Sequence, residues 1–186
     1  MQTLTRTVRS IDKSGASLDI PFRSWSERGI SLRRGEVSMV AGNPGAGKST
    51  IALAVALKSQ QPTLYFSMDS HASTMAIRSL AMITGLPQRE CEERMALDQA
   101  WASDLLALYA GHISWCFDSN PSLYDVEDEI EIYREMKGSD PVLIVVDNAT
   151  DVTHDDGDEF GSLRSLMREC KSWARETNAT FLILHH

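Results

Sequence analysis

Nine residues, GNPGAGKST from Gly42 to Thr50, limit the fold more than any other stretch of this chain. A short apolar, β-rich run (residues 36–42) leads into them. An Ala/Leu-rich helical run, STIALAVALKSQ, leads out and is closed by Pro62. A strand, a glycine-rich turn and a helix in that order form a unit that packs on a parallel sheet. The spacing Gly42-x4-Gly47-Lys48-Ser49 makes the turn a phosphate cradle. Glycines 42, 45 and 47 let the backbone curl until successive N–H groups point inward, and the helix presents its positive end to the same anion. Lys48 is predicted to reach the β- and γ-phosphates of a nucleotide and the Ser49 hydroxyl to ligate Mg2+.

The rest of the chain repeats the alternation. TLYFSM, HISWCF, PVLIVVD and ATFLILHH read as strands. HASTMAIRSLAMITG reads as a helix, as do residues 88–110 taken as one stretch. In SLYDVEDEIEIYREMKG the residues Leu123, Val126, Ile130 and Tyr133 share one helical face; Phe160, Leu163, Leu166, Met167, Cys170 and Trp173 do so in the next helix. PVLIVVD is apolar without interruption, as a parallel strand buried on both faces requires. The predicted class is α/β, a mostly parallel sheet flanked by helices. Residues 1–24, which lack sustained periodicity, form a lead-in arm, and residues 25–186 form the core. Asp147 ends the buried run and is predicted to orient water around Mg2+; its competing role is to cap the following turn.

Composition removes several functions. Net charge is −8, divided between +4 in residues 1–35 and −12 in residues 118–159, so bulk charge does not wrap nucleic acid. No run has membrane-spanning length, and no membrane partner is expected. Three cysteines without Cys-x-x-Cys spacing read as reduced thiols in a cytoplasmic protein. His71, His112 and His154 lack metal-ligand spacing, and the four Trp stand singly, without neighbouring Lys/Arg to make a base-stacking platform. Asp155, Asp156, Asp158 and Glu159 read as a solvated loop and helix start, with cation binding as the alternative.

From ISLRRGEVSMVAGNPGAGKST through LYFSMD and VLIVVDN to LRSLMRECKSWARETNATFLILHH, the chain resembles the RecA-like P-loop ATPases. Within them it is most similar to the replicative DNA helicases of the DnaB and RepA type. The resemblance covers residues 25–186 and implies ATP and Mg2+ as ligands, with Gly42, Asn43, Pro44, Gly45, Ala46, Gly47, Lys48, Ser49 and Thr50 around the nucleotide. Ser49 and Asp147 are implied at the metal. In the family a carboxylate after the second strand, usually Glu, polarises the attacking water; here Asp69 holds that place, one methylene shorter, and also stands where it would cap the next helix. The closing LHH resembles the strand end that carries a polar sensor of the γ-phosphate, which maps to His186, with His185 as second choice.

The same resemblance implies that parts of the machine lie elsewhere. Segments past the sensor strand normally supply a DNA-binding loop and an arginine finger; Arg164, Arg168 and Arg175 precede that strand and do not match. The sheet is therefore expected to lack its last strands, with the strand ending at His186 left as an open edge. Implied partners are single-stranded DNA, through parts absent here, and either a homo-oligomeric ring or a completing polypeptide. An ATP-holding regulatory or loader subunit, or a recombinase- or clock-type assembly ATPase, stands beside the helicase reading.

Overall fold

The computed structural model describes residues 15–153 and 159–186. A short helix, α1 (Arg23–Glu27), precedes β1 (Val37–Ala41), α2 (Lys48–Ser59), β2 (Thr63–Ser67), α3 (Ala72–Thr84), α4 (Gln88–Leu97) and α5 (Gln99–Ala110). Then come β3 (Ile113–Cys116), α6 (Leu123–Lys137), β4 (Leu143–Asp147), a 3-10 turn (Ala149–Asp151), α7 (Glu159–Thr177) and β5 (Thr180–His185). The strands form one parallel sheet in the order β1-β5-β4-β2-β3.

The side-chain period of two divides the central strands cleanly. Leu143 and Val145 of β4 face α2 and α3 together with Tyr65, Leu182 and Leu184. Ile144 and Val146 face α6 and α7 together with Phe66, Phe181 and Ile183. Every residue of β2 and of β4 is buried, which explains why PVLIVVD shows no polar alternation. On α6 the predicted face is realised: Val126, Ile130 and Tyr133 are buried, with Leu123 partly so. The helix starts in a capping box between Ser122 and Asp125 and stops at Gly138, whose φ of 69° suits glycine.

Three expectations are corrected. The last strand is not an edge: β5 runs between β1 and β4, and the outer strands among the described residues are β1 and β3. Strand order depends on the crossovers, which periodicity does not report. Residues 88–110 form two helices, broken at Asp98, whose backbone leaves the helical region and whose carboxylate accepts from the Trp101 N–H. Across that break the Arg94 guanidinium lies 4.3 Å from the Trp101 ring centre, so one basic group does sit on an aromatic.

The described part of the lead-in arm is tied to the core. Ser17 bridges Arg33, and Leu18 is buried with Leu32 against the α2 face of the sheet. The acidic-loop reading at 155–158, and His154, lie outside the described residues, as does the Glu159 side chain. Among the described residues no helix is long and apolar enough to cross a membrane.

The central place of β5 has a measurable consequence. Leu182→Ala removes a fully buried side chain from the middle of the sheet and is expected to cost about 2–5 kcal/mol. Met39→Ala, on outer strand β1 at 38% exposure, is expected to cost less than about 1 kcal/mol. Urea unfolding midpoints of the two variants check the contrast; equal losses would contradict the strand order.

Candidate nucleotide site

The loop after β1 turns sharply at two glycines. Gly45 (φ 78°) and Gly47 (φ 86°) hold left-handed backbone, and a Cβ at either would meet nothing within 4 Å, so conformation rather than space requires glycine. Gly42 does not adopt that conformation; its N–H donates to the His185 carbonyl (3.2 Å), tying the loop to the end of β5. Gly47 is the N-cap of α2 and offers no side-chain cap, and the first helical bond runs from the Ile51 N–H. The N–H groups of Lys48, Ser49 and Thr50 therefore have no partner within the helix, and they sit at its positive end. Asn43, Pro44, Gly45 and Ala46 of the loop are exposed, as is Thr50 in the first turn of α2.

Lys48 is buried at 6% exposure. Its ammonium donates to the carbonyls of Gly42 (2.6 Å) and Asn43 (3.0 Å) and to Nδ1 of His186 (3.0 Å). An ammonium has three donors and no acceptor, so Nδ1 accepts and all three donors are engaged. A phosphate reaching Lys48 would take the place of one of these partners. His186, exposed just past β5, is thereby brought to the loop by its side chain; His185 meets the loop only through its carbonyl, and its Nδ1 is buried with no hydrogen-bond partner.

Asp147 closes the site from the end of β4, on the far side of β5 from β1. Alternation along β4 turns its side chain to the α2 face, where the Ser49 hydroxyl donates to Oδ1 (3.1 Å). The Tyr65 hydroxyl, on β2, donates to Oδ2 (2.9 Å). Burial pushes the Asp147 carboxyl above its usual range, and the bonds from Tyr65 and Ser49 oppose that; nearby Asp69 raises it further and Arg78 lowers it. Burial first, then the charge of Asp147, raises the Tyr65 hydroxyl well above its ordinary value. The peptide bond from Asp147 to Asn148 is cis. Asn148 accepts from the Thr150 N–H (2.9 Å) and donates to Asp151 (2.8 Å), so the competing turn-capping role falls to Asn148.

Asp69 is exposed just past β2, where its Oδ1 accepts from the Ser70 hydroxyl (2.9 Å). It does not cap α3, which begins after His71 with no side-chain cap. Its charge is felt at Asp147 and Asp151, and His186 acts on Asp151, so Asp69, Asp147, Asp151 and His186 share one field at the carboxyl ends of β2, β4 and β5. In open parallel sheets that end is where ligands bind.

The residue set suits Mg2+ with a nucleotide. Two hard oxygen donors, Ser49 and Asp147, stand within hydrogen-bond distance of each other beside N–H groups free for phosphate, and Mg2+ takes few protein ligands when phosphates and water supply the rest. Among the described residues no cluster of three or more His, Cys, Asp or Glu could hold a metal alone.

Sequence reading missed Tyr65 and Arg78. Tyrosine in an apolar β-rich run reads as core, and only the register Ser67↔Asp147 places Tyr65 diagonally from the carboxylate. Arg78 is seven residues into α3, where its Nη1 donates to Ser70 (3.3 Å); no local pattern marks it.

A family model described as "AAA domain" matches residues 12–186. The Gene 65 protein of Mycobacterium phage L5 is 36% identical over 179 residues, covering 93% of this chain and 66% of the relative. Its namesake in Mycobacterium phage D29 is 37% identical, covering 80% and 65%. The replicative DNA helicase DnaB of Pasteurella multocida is 29% identical, over 66% of this chain and 28% of that protein. Among solved structures, a DnaB-like replicative helicase superposes with a TM-score of 0.75 at 13% identity, covering 98% of this chain and 47% of that one. A separately solved ATPase domain gives 0.77 at 13% identity, covering 98% and 68%. The chain thus spans about two thirds of the phage relatives' length, and the structural likeness carries the fold.

Proposed function

This chain belongs to the AAA-domain family and has the fold of DnaB-like helicase ATPase domains, and we propose that it binds and hydrolyses Mg-ATP as the ATPase part of a DNA helicase. One observation carries the reading: the Ser49–Asp147 contact joins the phosphate loop to the end of the buried strand, as a Mg-nucleotide site needs. Bound Mg2+ would neutralise charge on the phosphate oxygens. The N–H groups of residues 48–50 and the Lys48 ammonium hold the β- and γ-phosphates, and Ser49 and Asp147 serve the metal. In this reading Asp69 orients the attacking water, and His186 senses the γ-phosphate through its contact with Lys48.

Single-stranded DNA and a homo-oligomeric ring, or a completing polypeptide, are the partners this reading takes, in the cytoplasm. Phosphate release by the purified chain, with and without single-stranded DNA, tests it; slow release little changed by DNA is expected, because the DNA-binding loop and arginine finger lie elsewhere, and no release under either condition would contradict hydrolysis by this chain.

The Asp69–Ser70 bond favours a second reading, an ATP-holding subunit with little turnover, because it draws the shorter carboxylate onto its own loop. Asp69→Asn separates the two. If Asp69 orients water, the variant should lose about 10²–10⁴-fold in turnover with nucleotide affinity unchanged. Asp69→Glu, with longer reach, should match or exceed the wild type. An unaffected Asp69→Asn variant would remove Asp69 from the reaction.

A further inference from the structure

We propose that Tyr65 is a positioning residue that fixes the carboxylate of Asp147 for the metal, an inference that rests on the Mg-nucleotide reading above. The Tyr65 ring is fully buried in the sheet, and its hydroxyl meets Oδ2 of Asp147 at 2.9 Å. Oδ1 is thereby left toward Ser49, at 3.1 Å. A carboxylate on a single Cβ–Cγ bond otherwise rotates; with Oδ2 held, Oδ1 keeps one direction, into the space between strand and phosphate loop.

The ring is itself held. Its neighbour in register on β3 is Trp115, with ring centres 4.7 Å apart, and Phe117 stacks on Trp115 at 5.7 Å and 5°. The backbone of β2 is hydrogen-bonded on both sides, to β3 and to β4. A rigid strand and an aromatic neighbour thus aim one hydroxyl at one oxygen. An apolar residue would fill the same core, so the hydroxyl serves the carboxylate rather than the packing. Partners that hold a ligating carboxylate commonly matter to metal affinity almost as much as the ligand does.

The test is a Mg2+ titration of a fluorescent ADP analogue bound to wild type and to Tyr65→Phe. Removing the hydroxyl is expected to raise the Mg2+ concentration at half-effect by about 10- to 100-fold, while affinity measured in EDTA stays at the wild-type value. An unchanged Mg2+ midpoint would overturn the positioning role and leave the Mg-nucleotide reading intact. Equal loss of affinity with Mg2+ and with EDTA would also overturn it, by showing a structural role only. Failure of the wild type to bind the analogue, or to respond to Mg2+, would defeat the underlying reading instead.

Should Tyr65→Phe fail to fold, 3-fluorotyrosine in the wild-type chain reads the same hydroxyl. The chain has four tyrosines, so the Tyr65 fluorine signal is assigned by subtraction with Tyr109→Phe, Tyr124→Phe and Tyr133→Phe. Movement of that signal when Mg2+ joins the ADP complex is expected; a signal indifferent to Mg2+ would overturn the proposal.

Discussion

Lys48→Ala is expected to lower ATP hydrolysis by about 100-fold or more, the scale on which a single donor to developing charge acts in other enzymes. The ammonium is buried beside the loop, and no second cation among the described residues bonds to the loop as it does. Its loss therefore removes both ground-state binding and stabilisation of charge as the γ-phosphate leaves. Nucleotide affinity should fall together with turnover, because the β-phosphate contact exists before reaction as well as during it. Lys48→Arg should not rescue the site: a planar fork does not fit a niche that offers two carbonyls and one imidazole to a compact point charge. Phosphate release and analogue binding measured on the same preparations check both statements. A Lys48→Ala chain that binds as wild type would place the nucleotide elsewhere.

Asp147→Asn is expected to act differently. The substitution keeps shape and removes charge from a residue only 2% exposed. Turnover should fall by about 10²–10³-fold, since one of the two protein groups serving the metal is neutralised. Fold stability should change by less than about 1.5 kcal/mol: burial disfavours the charged form of this carboxyl, which offsets the loss of its bonds, and the hydroxyls of Tyr65 and Ser49 can rotate to suit an amide. Metal-free nucleotide affinity should stay near that of the wild type, whereas Lys48→Ala loses it. Melting temperature, phosphate release and binding in EDTA separate the two variants; an Asp147→Asn chain with full Mg2+-dependent turnover would remove Asp147 from the metal site.

How much of this was readable beforehand follows from the range of each interaction. Lys48 and Ser49 lie within nine contiguous residues whose spacing encodes the turn, so local sequence places them. Asp147 is 98 residues from Ser49 yet was legible, because an uninterrupted apolar run reports a strand buried on both faces and its polar end stands out. The face of α6 was legible for the same reason of periodicity. The position of β5 was not, since a strand's own residues look alike whether one or two neighbours bond to it. Nor was the break at Asp98: a helix interior and a helix restart share composition, and the non-helical Asp98 backbone and its side chain's bond to the Trp101 N–H distinguish them only in three dimensions. Tyr65 was hidden because its partner is set by register between strands that are distant in sequence. Asp69 and His186 were placed by resemblance, since an exposed carboxylate after a strand and a histidine at a strand end carry no local pattern of their own.

Calorimetric titration of ATP into the purified wild-type chain, once with Mg2+ and once with EDTA, tests most directly whether the loop and Asp147 form one site. The expected result is one nucleotide per chain, tighter with Mg2+, and lost in Lys48→Ala. Binding of equal strength with and without Mg2+, or retained in Lys48→Ala, would contradict a site built from Lys48, Ser49 and Asp147.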